Sequence, residues 1–137
     1  MHDSVVLDSS IIAAIFFPEK ITGKAIEIAE SNDCITVDLA YAEVANIAWK
    51  RIQNSIHDPD ALKTGLNTCK EFITESCQVL PAQDLILSAY ALACEHRVTV
   101  YDALFLAAAI QSGCSLVTAD KKLWLAAKKI VSSTLIA

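Results

Sequence analysis

Asp8, Glu43, Asp102 and Asp120 are carboxylates tied to apolar segments that should be buried. Asp8 ends the run Val5-Val6-Leu7, and Glu43 stands beside the apolar stripe of Ala40, Val44 and Ile47. Asp102 opens Ala103-Leu104-Phe105-Leu106, and Asp120 follows Leu116-Val117-Thr118. A fold that gathers these acids stacks negative charge in one cleft. Two carboxylates roughly 4 Å apart repel by about 4 kcal/mol at an effective dielectric of about 20, and several such pairs approach the ~5–15 kcal/mol that holds a whole domain together. Protons or a cation must offset that repulsion. A shared proton neutralises a pair, but three or four clustered acids are matched by a hard divalent ion whose preferred ligands are oxygens, which points to magnesium or manganese.

Each acid also has an ordinary explanation. Asp8, Asp102 and Asp120 all stand where a helix starts, as N-caps or as charges favoured by the helix dipole, and Glu43 could be a solvated helix residue. Burial decides against these for Asp8 and Asp102, because the segments that follow are apolar and a charge there needs an answer. Asp38 and Asp84 read as caps. Lys128 and Lys129 close a helix, where cations are favoured. Trp49 and Trp124, in amphipathic helices, read as core or dimer contacts.

The elements that must position the four acids alternate. Ser4 to Leu7 is a short β-branched strand, and Ile11 to Phe17 is helical and closed by Pro18. Ile21 to Ser31 has helical periodicity with Ile26, Ile28 and Ala29 inside, and Cys34 to Val37 is a second strand. A helix from Leu39 to Gln53 follows Asp38, Asn54 to Pro59 breaks it, and another helix runs from Asp60 to Ser76. Val79-Leu80 is a very short strand before Pro81, and Leu85 to His96 is a helix. The helix from Asp102 to Gly113 is apolar on nearly all sides and must be central. Ser115 to Thr118 is the clearest late strand, Asp120 to Lys129 is an amphipathic helix, and Val131 to Ile136 adds an edge strand. Strands alternating with helices, without hairpin turns, imply an α/β three-layer sandwich: a short central, mainly parallel sheet flanked by helices. In such sheets the ligand crevice lies beyond the carboxyl ends of the strands, where strand order reverses, and Asp8 and Asp120 both sit at such ends.

With 137 residues, 54% of them hydrophobic and only three Gly and three Pro, the chain reads as a single domain over 1–137 with a proper core. No stretch approaches the ~18 apolar residues of a membrane span, and Met-His-Asp-Ser lacks the basic region of a secretory signal, so a cytoplasmic address is expected. Cys34, Cys69, Cys77, Cys94 and Cys114 are odd in number and never spaced C-x-x-C, and His2, His57 and His96 are scattered, which argues for reduced thiols and against zinc. The net charge of −5 excludes a sequence-tolerant nucleic-acid coating protein, though not a nuclease whose acids hold metal.

Val-Val-Leu-Asp8-Ser9-Ser10, Ala-Glu43-Val-Ala-Asn-Ile, Tyr101-Asp102-Ala103-Leu104-Phe105-Leu106-Ala107-Ala108-Ala109 and Leu116-Val117-Thr118-Ala119-Asp120 stand in this order. With these motifs the chain resembles, over essentially its whole length, a PIN-domain nuclease, most like the VapC-type toxins of prokaryotic toxin–antitoxin pairs. The resemblance implies Mg2+- or Mn2+-dependent endoribonuclease action, phosphodiester hydrolysis by metal-activated water, with Asp8, Glu43, Asp102 and Asp120 as ligands directly or through water. It assigns support of a carboxylate or phosphate to Ser9 or Ser10, support of Asp120 to Thr118, and contacts with the RNA backbone to Lys121 and Lys122. It also implies a small antitoxin partner that covers hydrophobic helices and places a basic side chain in the acidic cleft, and a homodimer. Some relatives carry a further acid shortly after the position of Asp120, where this chain has Lys121 and Lys122, so the expectation is one tightly held ion. The rivals are a non-catalytic PIN-like protein-binding module and a phosphatase or phospho-acceptor domain, whose motif wants a second Asp where Ser10 stands.

Overall fold

A computed structural model describes residues 2–54 and 58–137. Its central sheet has five strands in the order β3-β2-β1-β4-β5, all parallel: β1 (Ser4–Leu7), β2 (Asp33–Val37), β3 (Cys77–Leu80), β4 (Ser115–Thr118) and β5 (Ser133–Leu135). The connections are helical: α1 (Ser9–Phe16) and α2 (Thr22–Ser31) after β1, α3 (Leu39–Gln53) and α4 (Pro59–Ser76) after β2, α5 (Ala82–His96) and α6 (Val100–Ser112) after β3, and α7 (Lys121–Ala127) after β4. Connections running from β1 toward β3 and those running back toward β5 move in opposite directions, so crossovers of the usual right hand put α1 to α4 on one face and α5 to α7 on the other. The expected three-layer α/β architecture is therefore present.

The strand order reverses between β1 and β4, whose register pairs Leu7 with Val117. Their carboxyl ends feed directly into α1 and α7. Val6, Leu7, Leu116 and Val117 are buried, as parallel strands covered on both faces require. Every residue of α6 from Ala103 to Ala109 is buried, which places it against the middle of the sheet and agrees with its lack of a polar face. On the other face, α4 approaches α1 closely: a Cβ added at Gly65 would stand 3.0 Å from both the carbonyl oxygen of Phe16 and the ring of Phe17.

Several helix starts differ from the sequence reading, and each difference has a local cause. α6 begins at Val100 rather than Asp102 because Thr99 is its cap, accepting the Asp102 N–H on its hydroxyl at 3.1 Å. α5 begins at Ala82, so Asp84 lies in its first turn and is not its cap. Asp38 has helical backbone angles and no capping bond to α3. Its Oδ1 instead accepts the N–H of Ala82 at 2.9 Å, capping α5 from across the chain. α4 is capped by Asp58 with Pro59 as its first residue, which the fixed proline φ favours. In α2 the buried residue is Ala25, while Ile26 faces solvent. Trp49 is 55% exposed and is not a core residue. α7 ends at Ala127, short of Lys129.

The five cysteines are free, with Cys34 and Cys69 buried and Cys94 exposed. Burial pushes the thiols of Cys69 and Cys77 up to about 12, which suits inert packing groups. His2 and His96 lie apart from each other and from the acids discussed above, each near a carboxylate of its own, and His57 lies outside the described residues. Among the described residues no helix is long and apolar enough to cross a membrane.

Candidate functional site

At the switch point a cleft of about 200 Å³ opens, lined by Asp8, Ser9, Ser10, Glu43, Asp102 and Asp120 together with Asn46, Ile47, Lys50 and Phe105. All four acids singled out from the sequence thus face one space. Asp8 and Asp120 come from the ends of β1 and β4, Glu43 from the first turns of α3, and Asp102 from the first turn of α6. Because Thr99 takes over the capping of α6, the Asp102 carboxylate is left free to face the cleft.

Asp8 is the most constrained of them, only 5% exposed. Its Oδ1 accepts the Ser10 hydroxyl at 2.6 Å and the Ile11 N–H at 3.2 Å, so it is also the N-cap of α1. Its Oδ2 accepts the hydroxyl of the buried Thr118. Both hydroxyls are themselves oriented by backbone N–H groups at the end of β4. Ser10 Oγ accepts the N–H of Ala119 at 3.0 Å, and Thr118 Oγ1 accepts the N–H of Asp120 at 3.0 Å. Each hydroxyl can donate one hydrogen and still accept another. Two hydroxyl bridges therefore tie the β1–α1 junction to the β4–α7 junction through the Asp8 carboxylate. Thr118, expected to hold Asp120, gives its hydrogen to Asp8 and meets Asp120 only at the backbone.

Ser9, also buried, donates its hydroxyl to Glu43 Oε1 at 2.6 Å and fixes that carboxylate across the gap between α1 and α3. The Asp120 side chain caps α7, its Oδ1 accepting the N–H groups of Lys122 at 2.9 Å and Leu123 at 3.5 Å. The capping readings of Asp8 and Asp120 thus hold alongside their places in the cleft.

The acids act on one another's protons. Burial pushes the Asp8 carboxyl up to about 6 despite the three hydrogen bonds that favour its charge, and the charge of Asp102 adds to the rise. Burial also raises Asp102, helped by the negative charges of Asp120 and Glu43 and opposed by the Thr99 bond and by Lys122. Among the described residues no three acidic, histidine or cysteine side chains close tightly enough, as placed, to enclose an ion by themselves. The donor chemistry nevertheless fits a hard divalent cation. All four donors are carboxylates, two of them hold their protons more tightly than usual because of burial and their neighbours, and among the described residues no aromatic nitrogen or thiol lines the cleft.

Sequence reasoning named Ile47 and Phe105 only as apolar packing residues and gave no site role to Asn46 or Lys50. The α3 residues follow Glu43 at three, four and seven positions, the spacing of one helix face, so the signal was present once Glu43 was placed. Lys121 and Lys122 are both exposed and neither lines the cleft, though Lys122 is close enough to influence Asp102. A larger groove of about 590 Å³ between α3 and α4, lined by Tyr41, Val44, Leu66 and the side chains of Lys63 and Lys70, contains no carboxylate.

A family model described as PIN domain matches residues 5–129. The chain is 35% identical over 120 residues to Ribonuclease VapC3 of Pyrobaculum aerophilum, covering 87% of this chain and 91% of that protein. The crystal structure of PAE2754 from Pyrobaculum aerophilum is similar, with a TM-score of 0.72 and 24% identity over 96% of this chain and 83% of that one. A toxin-antitoxin complex from Klebsiella pneumoniae contains a chain that matches with a TM-score of 0.58 and 16% identity, covering 88% of this chain and 89% of that one.

Proposed function

This chain belongs to the PIN-domain family, and from that membership we propose that it is a metal-dependent endoribonuclease, the toxin of a toxin–antitoxin pair, which hydrolyses RNA phosphodiester bonds in the acidic cleft. The observation that carries the reading is the meeting of Asp8, Glu43, Asp102 and Asp120 at the point where the strand order reverses. These four residues would hold Mg2+ or Mn2+. Such an ion, when bound, supplies Lewis-acid activation of a water and neutralisation of phosphodiester charge.

The chain's own residues supply the rest. Ser10 and Thr118 hold the two oxygens of Asp8, and Ser9 aims Glu43, so that these carboxylates need little rearrangement to meet a cation. Lys121 and Lys122, at the start of α7, contact the RNA backbone, which positions a strand without reading its sequence. Asp8, buried at the inner side of the cleft, meets little bulk water, so charge interactions there are correspondingly stronger.

The same reading includes an antitoxin that covers exposed apolar helix surface and sets a basic side chain among the acids, a homodimer, and a cytoplasmic location. Supporting the first two are the exposed Leu87 and Tyr90 of α5, the exposed Trp49 of α3 and the apolar groove between α3 and α4. The direct test is incubation of purified protein with single-stranded RNA and Mn2+. Cleavage that stops when a chelator removes the ion and resumes when Mn2+ is restored is the expected result. An intact strand under all conditions would instead make the chain a non-catalytic binding module.

A further inference from the structure

A further pocket, of about 330 Å³, lies where the end of α5 meets α7 and is lined by Glu95, His96, Arg97, Lys122, Leu125 and Lys129, among others. Three of the chain's eleven Lys and Arg residues converge there in a protein of net charge −5. All three are exposed, and among the described residues none lies within ion-pairing distance of a carboxylate. Glu95 is the pocket's one acid and lies near His96, at 3.7 Å from its Nε2. Lys128, by contrast, rests over the ring of Trp124 at 4.4 Å and belongs to packing.

The backbone adds an independent sign. α5 ends on Arg97 in the left-handed region, φ 57°, while α6 ends on Gly113 at φ 64°. Glycine occupies that conformation without penalty, whereas a residue with a β-carbon adopts it at a steric cost. Among the described residues Arg97 is the one non-glycine with positive φ. Lys122 joins the pocket to the acidic cleft, since it lines the pocket while its backbone N–H donates to the carboxylate of Asp120, which lines the cleft, at 2.9 Å.

We propose that Arg97, Lys122 and Lys129 form an anchoring site for the RNA backbone beyond the scissile bond, so that a strand lying across the acidic cleft continues over the end of α5 and is held there by its phosphates. This rests on the ribonuclease reading and extends the phosphate contact given there to Lys122 away from the cleft, to Arg97 and Lys129. The site is built for phosphate charge and contains no device for reading bases, so it confers dependence on strand length and salt and leaves sequence choice unchanged.

The test measures binding in an Asp8→Asn background so that the strand survives, with cleavage by the wild type followed in parallel. Arg97→Gln combined with Lys129→Gln is expected to weaken binding of a single strand of about twelve nucleotides several-fold, to lower the slope of log affinity against log salt by about 1.4, and to affect a strand of about three nucleotides much less. Lys128→Gln should leave the slope where it was. Glutamine at position 97 has the same backbone cost as arginine, so the thermal midpoint should not move, and a fall in affinity is then not a folding effect. An unchanged affinity and slope in the double variant, while the wild type still cuts RNA, overturns the anchoring site and leaves the nuclease intact. So does unchanged RNA binding with loss of binding to an acidic polypeptide, which would make the pocket a protein contact. A wild type that neither binds nor cuts RNA overturns the ribonuclease reading itself, and the anchor with it.

Discussion

Asp8→Asn is expected to lower RNA cleavage by about a thousandfold or more, because it removes one of the four charges proposed to hold the cation and leaves the reacting phosphodiester without full charge compensation. Single-turnover cleavage of a labelled single strand in Mn2+ measures this. The same substitution should not harm the fold. Asp8 is buried with its carboxyl already pushed up to about 6, so the neutral amide resembles the protonated form that burial prefers. The Asn Oδ1 can keep the bonds from Ser10 and Ile11, and its amide can donate to the second lone pair of Thr118 Oγ1. A thermal midpoint in the metal-free state equal to or above that of the wild type, together with lost activity, is the predicted combination. Retention of more than about a tenth of wild-type activity would remove Asp8 from the proposed cation site, since even an outer partner of a metal ligand commonly costs ~10–100-fold when removed.

The metal-free protein should lose stability as pH rises from about 4 through 6. An aspartate with a carboxyl raised from 3.8 to about 6 in the folded protein binds its proton more tightly there than in the unfolded chain. Between those two values the folded state carries more protons, so the free energy of unfolding falls with rising pH; the contribution is fully present below the lower value and gone above the higher one. At about 1.4 kcal/mol for each unit, Asp8 contributes a swing of about 3 kcal/mol, and Asp102, raised for the same reasons, acts in the same direction. That is a large part of the ~5–15 kcal/mol of an ordinary domain. Denaturant unfolding in the presence of a chelator, repeated across this range, reads the swing directly. Stability that stays level or rises through this window in the wild type, and behaves identically in Asp8→Asn, would refute the burial of an ionisable Asp8. A divalent cation should restore much of the lost stability at neutral pH by favouring the charged carboxylates.

Much of this arrangement is legible in the amino-acid sequence. The β-branched runs ending in Asp8 and in Thr118-Ala119-Asp120 mark parallel strands whose carboxyl ends lie side by side, and the segment Ala103 to Ala109 has no polar face, so it had to be central. What could not be read depends on contacts across the chain. Asp38 stands before an apolar helical pattern and looks like its cap, yet its partner is Ala82, 44 residues away, a contact set by β2 and β3 lying side by side. Asp102 looks like a cap until Thr99 is seen to accept its N–H. In α2 the choice between Ala25 and Ile26 for the inner face depended on how the helix is rotated against the sheet, which hydrophobicity alone does not fix. The roles of Ser10 and Thr118 had the same origin. Their residue types suggested support of the acids, but only the adjacency of β1 and β4 decides that both hydroxyls serve Asp8.

The central claim is that acids distant in sequence share one divalent ion. Calorimetric titration of the metal-free protein with Mn2+ at neutral pH tests it most directly, before any question of substrate arises. The account predicts saturable binding of a single ion per chain, with proton release from the raised carboxyls, and loss of that binding in both Asp8→Asn and Asp102→Asn. Binding of the same strength and stoichiometry in both variants, or none in the wild type at millimolar Mn2+, would contradict it.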